Sequence, residues 1–253
     1  IQSTYLPSFA NDNDIQATFA IQEATPAFNP FNLKTKATSN NGKYSIDGEK
    51  TLVILGETAD LLLVNAELNG SPEVFIVKRD NSITAKKSTA MGMKAAETVT
   101  LKFNQTPAEL LGDEDFNYPA FLDLGNLMWC AMAVGTCEAV KAYCIQYANE
   151  RTAFGEPISH RQSVAFMIAD MAIEIDAMRM LILNAASLAE AGQTFHREAY
   201  LARLLCAEKS MQIGTNGVQI LGGHGFTKEH PVGIVIYVQQ QSYIQAYMLN
   251  LSK

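Results

Sequence analysis

The sequence predicts an α+β chain, a block of short strands followed by a block of long helices. Three observations predict it. Strand-type segments separated by turn signals crowd residues 16–106. A long apolar-rich stretch then runs from Pro119 to Asn149 and breaks at Gly155-Glu156-Pro157. After the break, apolar residues recur at spacings of three and four. Closely spaced strands of this kind form a small barrel or a sandwich. Long helices joined by short turns form an antiparallel bundle. The order β then α gives two domains, expected at 1–112 and 113–253, with 232–253 an atypical tail.

Taken in order, QATFAIQEA (16–24) is a strand followed by the loop PAFNPFN. KYSIDGEKTLVIL (43–55) reads as strand, Asp47-Gly48 turn, strand, because a type I′ turn needs the positive φ that glycine supplies. ADLLLVNAEL and EVFIVKRD flank a second turn, NGSP. SITAKK and TVTLKFNQT add two short strands. The first helix spans 119–149, with Gly135 its weakest point. Within 160–191, Val164, Ile168, Met171, Ile175, Met178 and Ile182 draw one apolar face. Ala191-Gly192 closes that helix. A third helix is expected from Arg197 to Val218.

Composition narrows the function classes. The net charge is −7, which argues against binding to nucleic acid through phosphates. No apolar run reaches the roughly 20 residues that span a bilayer, and the N-terminus has no signal-type core. The chain starts without Met, so a fragment or a processed product is expected. Its four cysteines point to a reducing compartment, with a cytoplasmic location expected. Cys130, Cys137 and Cys144 recur every seventh residue, about 10 Å apart along a helix. That is too far to share a metal, so no metal site is expected and the thiols read as packing groups.

ERTAFGEPISHRQ (150–162) and VQILGGHGFTKEHPV (218–232), in that order around a helical pair, resemble the acyl-CoA dehydrogenase family. LLGDED, GEKTLVILGETADLLLV and MGMKAAETVTLKF in the first block fit the same family. The resemblance implies a β-barrel before the bundle, FAD as cofactor, an acyl-CoA substrate and a homo- or hetero-oligomer. The family's helical domain ahead of the barrel has no counterpart here. The family binds FAD between one subunit's barrel and its neighbour's bundle. By resemblance, Arg151 faces the pyrophosphate, Phe154 lies on the cofactor, and Gln162 and Gln219 hydrogen-bond it. Ile220, Leu221, Gly222 and Gly223 complete the contact turn, the glycines by admitting close backbone approach. His224 and His230 read as solvated or capping loop residues.

The family reaction needs a carboxylate base. One family position for it falls near Ala246. A subgroup's alternative falls at Gly125, within LDLGN. Neither is acidic here, and no Asp or Glu follows Glu229. The family's flavin-side loop corresponds to QEATPAFN (22–29), which keeps only Glu23. Its ring-side tripeptide corresponds to LVI (52–54). With one choice of codons, the family's tail motif read one base out of frame gives GIVIYVQ (233–239), so a frame change is expected there. The sequence therefore supports a catalytically impaired acyl-CoA dehydrogenase-like flavoprotein, a non-catalytic subunit that completes a partner's FAD site, or an inactive product.

Overall fold

The computed structural model describes residues 2–10, 15–25, 28–88, 96–112 and 116–232. The base position expected near Ala246, the tail for which a frame change is expected, Asp113–Asp115 and most of MGMKAAE fall outside that set. The first compact unit ends at Tyr118 and the second begins at Pro119.

The first unit holds α1 (Gln2–Ala10) and seven strands: β1 (Ala17–Ala20), β2 (Lys36–Asn40), β3 (Lys43–Val53), β4 (Leu61–Leu68), β5 (Ser71–Lys78), β6 (Ile83–Lys87) and β7 (Val99–Leu110). Five of them close a ring in the order β4-β2-β3-β7-β5, with β5 pairing back onto β4. The architecture is a barrel rather than a sandwich. β1 adds to β4 in parallel and β6 adds to β7. Closure leaves no free edge in the ring. The interior is filled by Ile46, Leu62, Val64, Phe75, Leu101 and Phe103, all essentially without solvent access. α1 was not foreseen. It lies against the barrel through Tyr5, whose hydroxyl donates to Glu109 Oε2 at 2.7 Å.

The expected Asp47-Gly48 turn is corrected. β3 runs unbroken through it, and the pairing with β7 slips between Ile46↔Thr106 and Gly48↔Phe103, a bulge. Asp47 ties that bulge by accepting the Gln105 backbone N–H at 2.8 Å. Gly48, at φ 150°, is needed for closeness: a Cβ there meets the Thr35 Cα at 2.7 Å. The hairpin turn is Asn41-Gly42 instead, with φ of 50° and 76° and Asn40 opposite Lys43. The second turn stands as read, at Asn69-Gly70 between Leu68 and Ser71.

The second unit holds α2 (Tyr118–Glu150), the small hairpin β8 (Thr152–Ala153) and β9 (Glu156–Pro157), α3 (Gln162–Glu190) and α4 (His196–Leu221). Successive helices run antiparallel, so α2 and α4 share a direction. The cross-links Asp123–His196, Asn126–Arg203 and Cys144–Gly217 show it. Gly135 does not interrupt α2. The Cys130, Cys137 and Cys144 stripe is fully buried and meets Cys206 of α4 in one core with Met171, Ile175 and Met178 of α3. Burial pushes the Cys144 thiol up to about 11, so it stays an unreactive packing group. Ala191 caps α3 and Gly192 follows at φ 67°. Against the expectation that no apolar run is long enough, α2 is long and apolar enough to cross a membrane by length and composition. Its apolar stripe packs in the bundle core.

Candidate functional site

The end of α2 and the turn after α4 meet. Tyr143 and Tyr147 stand four residues apart on one face of α2, and Arg151 continues that spacing just past its end. With Gln146, Glu150, His224 and His230 they line a hollow of about 330 Å3. Two of the contacts run between tyrosines and histidines. Tyr147 hydroxyl lies 2.8 Å from His224 Nδ1, and Tyr143 hydroxyl 2.6 Å from His230 Nδ1. The two imidazoles stack at 5.4 Å, 26° apart in plane. Tyr147 also donates to the Leu221 carbonyl at 3.4 Å. Tyr147 therefore fastens the Gly222–Phe226 turn to α2, and Tyr143 ties down His230 just beyond it. His224 and His230 are not simple solvated loop residues. The available signal was the four-residue spacing of Tyr143 and Tyr147 just ahead of ERTAFG.

Arg151 follows the last residue of α2. Its backbone N–H donates to Tyr147 O at 2.9 Å and its carbonyl accepts Ile158 N–H at 2.9 Å. Its exposed guanidinium forms no ion pair among the described residues. Neighbouring Arg161, by contrast, is held by Glu156 at 3.2 Å. Phe154 sits at the tip of the β8–β9 hairpin with φ 57° and a side chain 95% exposed. A non-glycine residue held in that region stores strain, and such residues concentrate at functional sites. Arg161 lies 5.4 Å from its ring centroid.

The other expected contacts divide. Gln162 and Gln219 are exposed, whereas Ile220 and Leu221 are buried in the bundle core. Their side chains cannot contact a ligand, so only their backbone could do so. Gly222 caps α4 at φ 59°, and a Cβ on Gly222 or Gly223 meets nothing within 4 Å. The turn is thus open to close approach from outside. Gly125, the alternative base position, lies exposed on α2 with open space around it.

In the barrel, Glu23 is not available to a ligand. It pairs with fully buried Lys50, whose Nζ is 3.0 Å from Glu23 Oε1. It also accepts the backbone N–H groups of Thr35 and Lys34, each at 2.9 Å. Burial raises the carboxyl's proton affinity, but Lys50 and the two N–H groups outweigh it and hold the carboxyl below its usual range. Lys50 moves to about 8, because burial outweighs the attraction of Glu23. The two shifts agree once donors are counted: Glu23 has three, while Lys50 has one carboxylate and the Ile21 carbonyl at 3.3 Å. In the tripeptide Leu52-Val53-Ile54, Val53 is buried and Leu52 has φ 55°.

A small β-barrel followed by an antiparallel helical bundle is an acyl-CoA dehydrogenase-type fold. The profile described as "Acyl-CoA dehydrogenase, C-terminal domain" matches residues 119–240. An acyl-CoA dehydrogenase of Bacillus subtilis (strain 168) is 31% identical over 241 residues, covering 90% of this chain and 63% of that relative. A short-chain specific acyl-CoA dehydrogenase of Megasphaera elsdenii is 32% identical over 234 residues, covering 85% and 60%. The solved butyryl-CoA dehydrogenase of Megasphaera elsdenii superposes with a TM-score of 0.86 at 26% identity, over 99% of this chain and 70% of that one. The chain belongs to the acyl-CoA dehydrogenase family. It spans less than two thirds of the length of the two curated relatives.

Proposed function

We propose that this chain works in an FAD-dependent α,β-dehydrogenation of an acyl-CoA thioester, and that its bundle supplies the contacts to the cofactor's pyrophosphate. One observation carries the reading. The Arg151 guanidinium, without an ion pair among the described residues, and the open Gly222-Gly223 turn are fastened to one another through Tyr147. A guanidinium fork matches phosphate oxygens, and the residues present fit that group. When bound, FAD would supply the hydride acceptor. The chain's own residues bind and orient: Arg151 neutralises charge, Phe154 offers a flat apolar face, and Gln162 and Gln219 offer amides.

Two positions, one in the barrel and one on α2, favour a second reading, a subunit that completes a partner chain's FAD site without performing the chemistry itself. Glu23 is committed to Lys50, and Gly125 offers no base. Visible spectra of the purified chain, alone and mixed with a full-length relative, separate the two. A yellow protein bleached by acyl-CoA supports dehydrogenation. FAD held only in the mixture supports the second reading. FAD retention should fall at least tenfold in Arg151→Met. Retention unchanged in that variant removes Arg151 from the site.

A further inference from the structure

Arg203 of α4 presents a problem of charge. Its side chain is 9% exposed, yet among the described residues no carboxylate pairs with it. Its one acceptor among the described residues is the amide oxygen Asn126 Oδ1 of α2, which accepts from Nη1. The Trp129 ring covers one face of the guanidinium, with the centroid 4.9 Å from Cζ. The thiols of Cys130 and Cys206 lie nearby, and the hydrogen bond with Cys130, together with burial, pushes the Cys206 thiol up, away from ionisation. Asp123, the α2 carboxylate three residues before Asn126, is taken by His196 Nδ1 at 2.7 Å. A buried cation without a counter-ion is costly enough that proteins pair it or discharge it. Arginine does not discharge near neutral pH.

The remaining N–H groups of Arg203 have no acceptor among the described residues. They are not sealed either. The sealed side-chain orphans among those residues are Asn65 Oδ1 and Ser210 Oγ. The guanidinium therefore keeps a narrow opening, with Trp129 across its face. Asn126 gives its oxygen to Arg203. Its own NH2 group, without a partner among the described residues, is adjacent to the guanidinium. Fork plus amide is a donor set for a planar oxyanion.

We propose that Arg203, Asn126 and Trp129 form a carboxylate-binding site, filled by the carboxylate at the far end of a dicarboxylic acyl thioester. The site lies one residue from Gly125, where the family resemblance places an alternative base. The choice of an acyl thioester as the source rests on the function proposed above. The carboxylate site itself does not, because a free dicarboxylate has the same chemistry.

The experiment uses the full chain and reads binding by calorimetry and melting temperature, with glutarate, glutaryl-CoA and butyryl-CoA at matched ionic strength. Saturable glutarate binding is expected, at least tenfold weaker in Arg203→Met and largely restored in Arg203→Lys. Glutaryl-CoA should bind at least tenfold more tightly than butyryl-CoA, and Arg203→Met should erase that preference. Asn126→Asp supplies a built-in counter-ion. It should raise the melting temperature and abolish the glutarate response, and it keeps the proposal open to test should Arg203→Met fail to fold. Glutarate binding without preference between the thioesters overturns the acyl source. No saturable glutarate binding, or the same binding in Arg203→Met or Asn126→Asp, overturns the site. Neither result bears on FAD, which the spectra read separately.

Discussion

Glu23→Gln should unfold the barrel more readily than any surface change. The substitution keeps the size of the side chain but removes the charge that faces Lys50, whose side chain has no solvent access. The ammonium would keep neutral acceptors, the new amide oxygen and the Ile21 carbonyl at 3.3 Å, but no counter-ion. Removing one partner of a buried pair costs about 3–5 kcal/mol. At roughly 2–4 °C per kcal/mol for a chain of this size, the melting temperature should fall by about 6–20 °C. Thermal and urea unfolding, followed by near-ultraviolet circular dichroism, read the change. Glu23→Gln combined with Lys50→Met should recover at least half the loss, because the orphaned charge is then gone. A loss below about 1 kcal/mol for the single variant refutes the buried pair. So does a double variant no more stable than the single one.

The remaining predictions concern pH, turns and the tyrosine fastening. Lys50 is depressed to about 8 from 10.5 in the folded state, so between those values the unfolded chain binds more protons and stability should rise with pH. Glu23 is depressed too, so its contribution is present above its unfolded value and is lost as acid brings the pH down through its folded one. Lys50→Met should flatten the alkaline rise in a pH series of unfolding curves. Gly42→Ala should cost about 1–2 kcal/mol, from φ alone. Gly48→Ala should cost more, because its Cβ would meet Thr35 backbone at 2.7 Å. Equal costs in urea titrations would return the hairpin turn to Asp47-Gly48. Tyr147→Phe removes the bonds to His224 and Leu221. It should cost about 0.5–1.5 kcal/mol and speed amide exchange across 221–226; unchanged exchange there would remove Tyr147 as the fastening.

The helical half was legible because burial writes a period into sequence. Met171, Ile175 and Met178 are the buried face that their spacing drew, and the seven-residue cysteine stripe is fully buried as expected. The two motifs that carry the family were readable for a similar reason. Arg151, Phe154 and Gly222 occupy chain ends and turns, where backbone demands restrict residue choice locally. The strand block was legible in its elements and only partly in its connections. Asp47-Gly48 and Asn41-Gly42 are equally good turn signals. The choice between them depends on Thr35, which approaches Gly48 only once the ring has closed.

What the sequence determined by itself is the order of the strand and helix blocks, the core face of α3, the buried cysteine stripe of α2 and the family. What only the tertiary structure decided is partnership. Glu23 reads as a retained flavin-side residue until folding buries Lys50 against it. His224 and His230 read as loop residues until Tyr143 and Tyr147 reach them from more than seventy positions away. Arg203 reads as one more helix cation until α2 closes over it with an amide and an indole. Side-chain charge and hydrogen bonding are settled by neighbours distant in sequence, and a pattern with a short period cannot encode them.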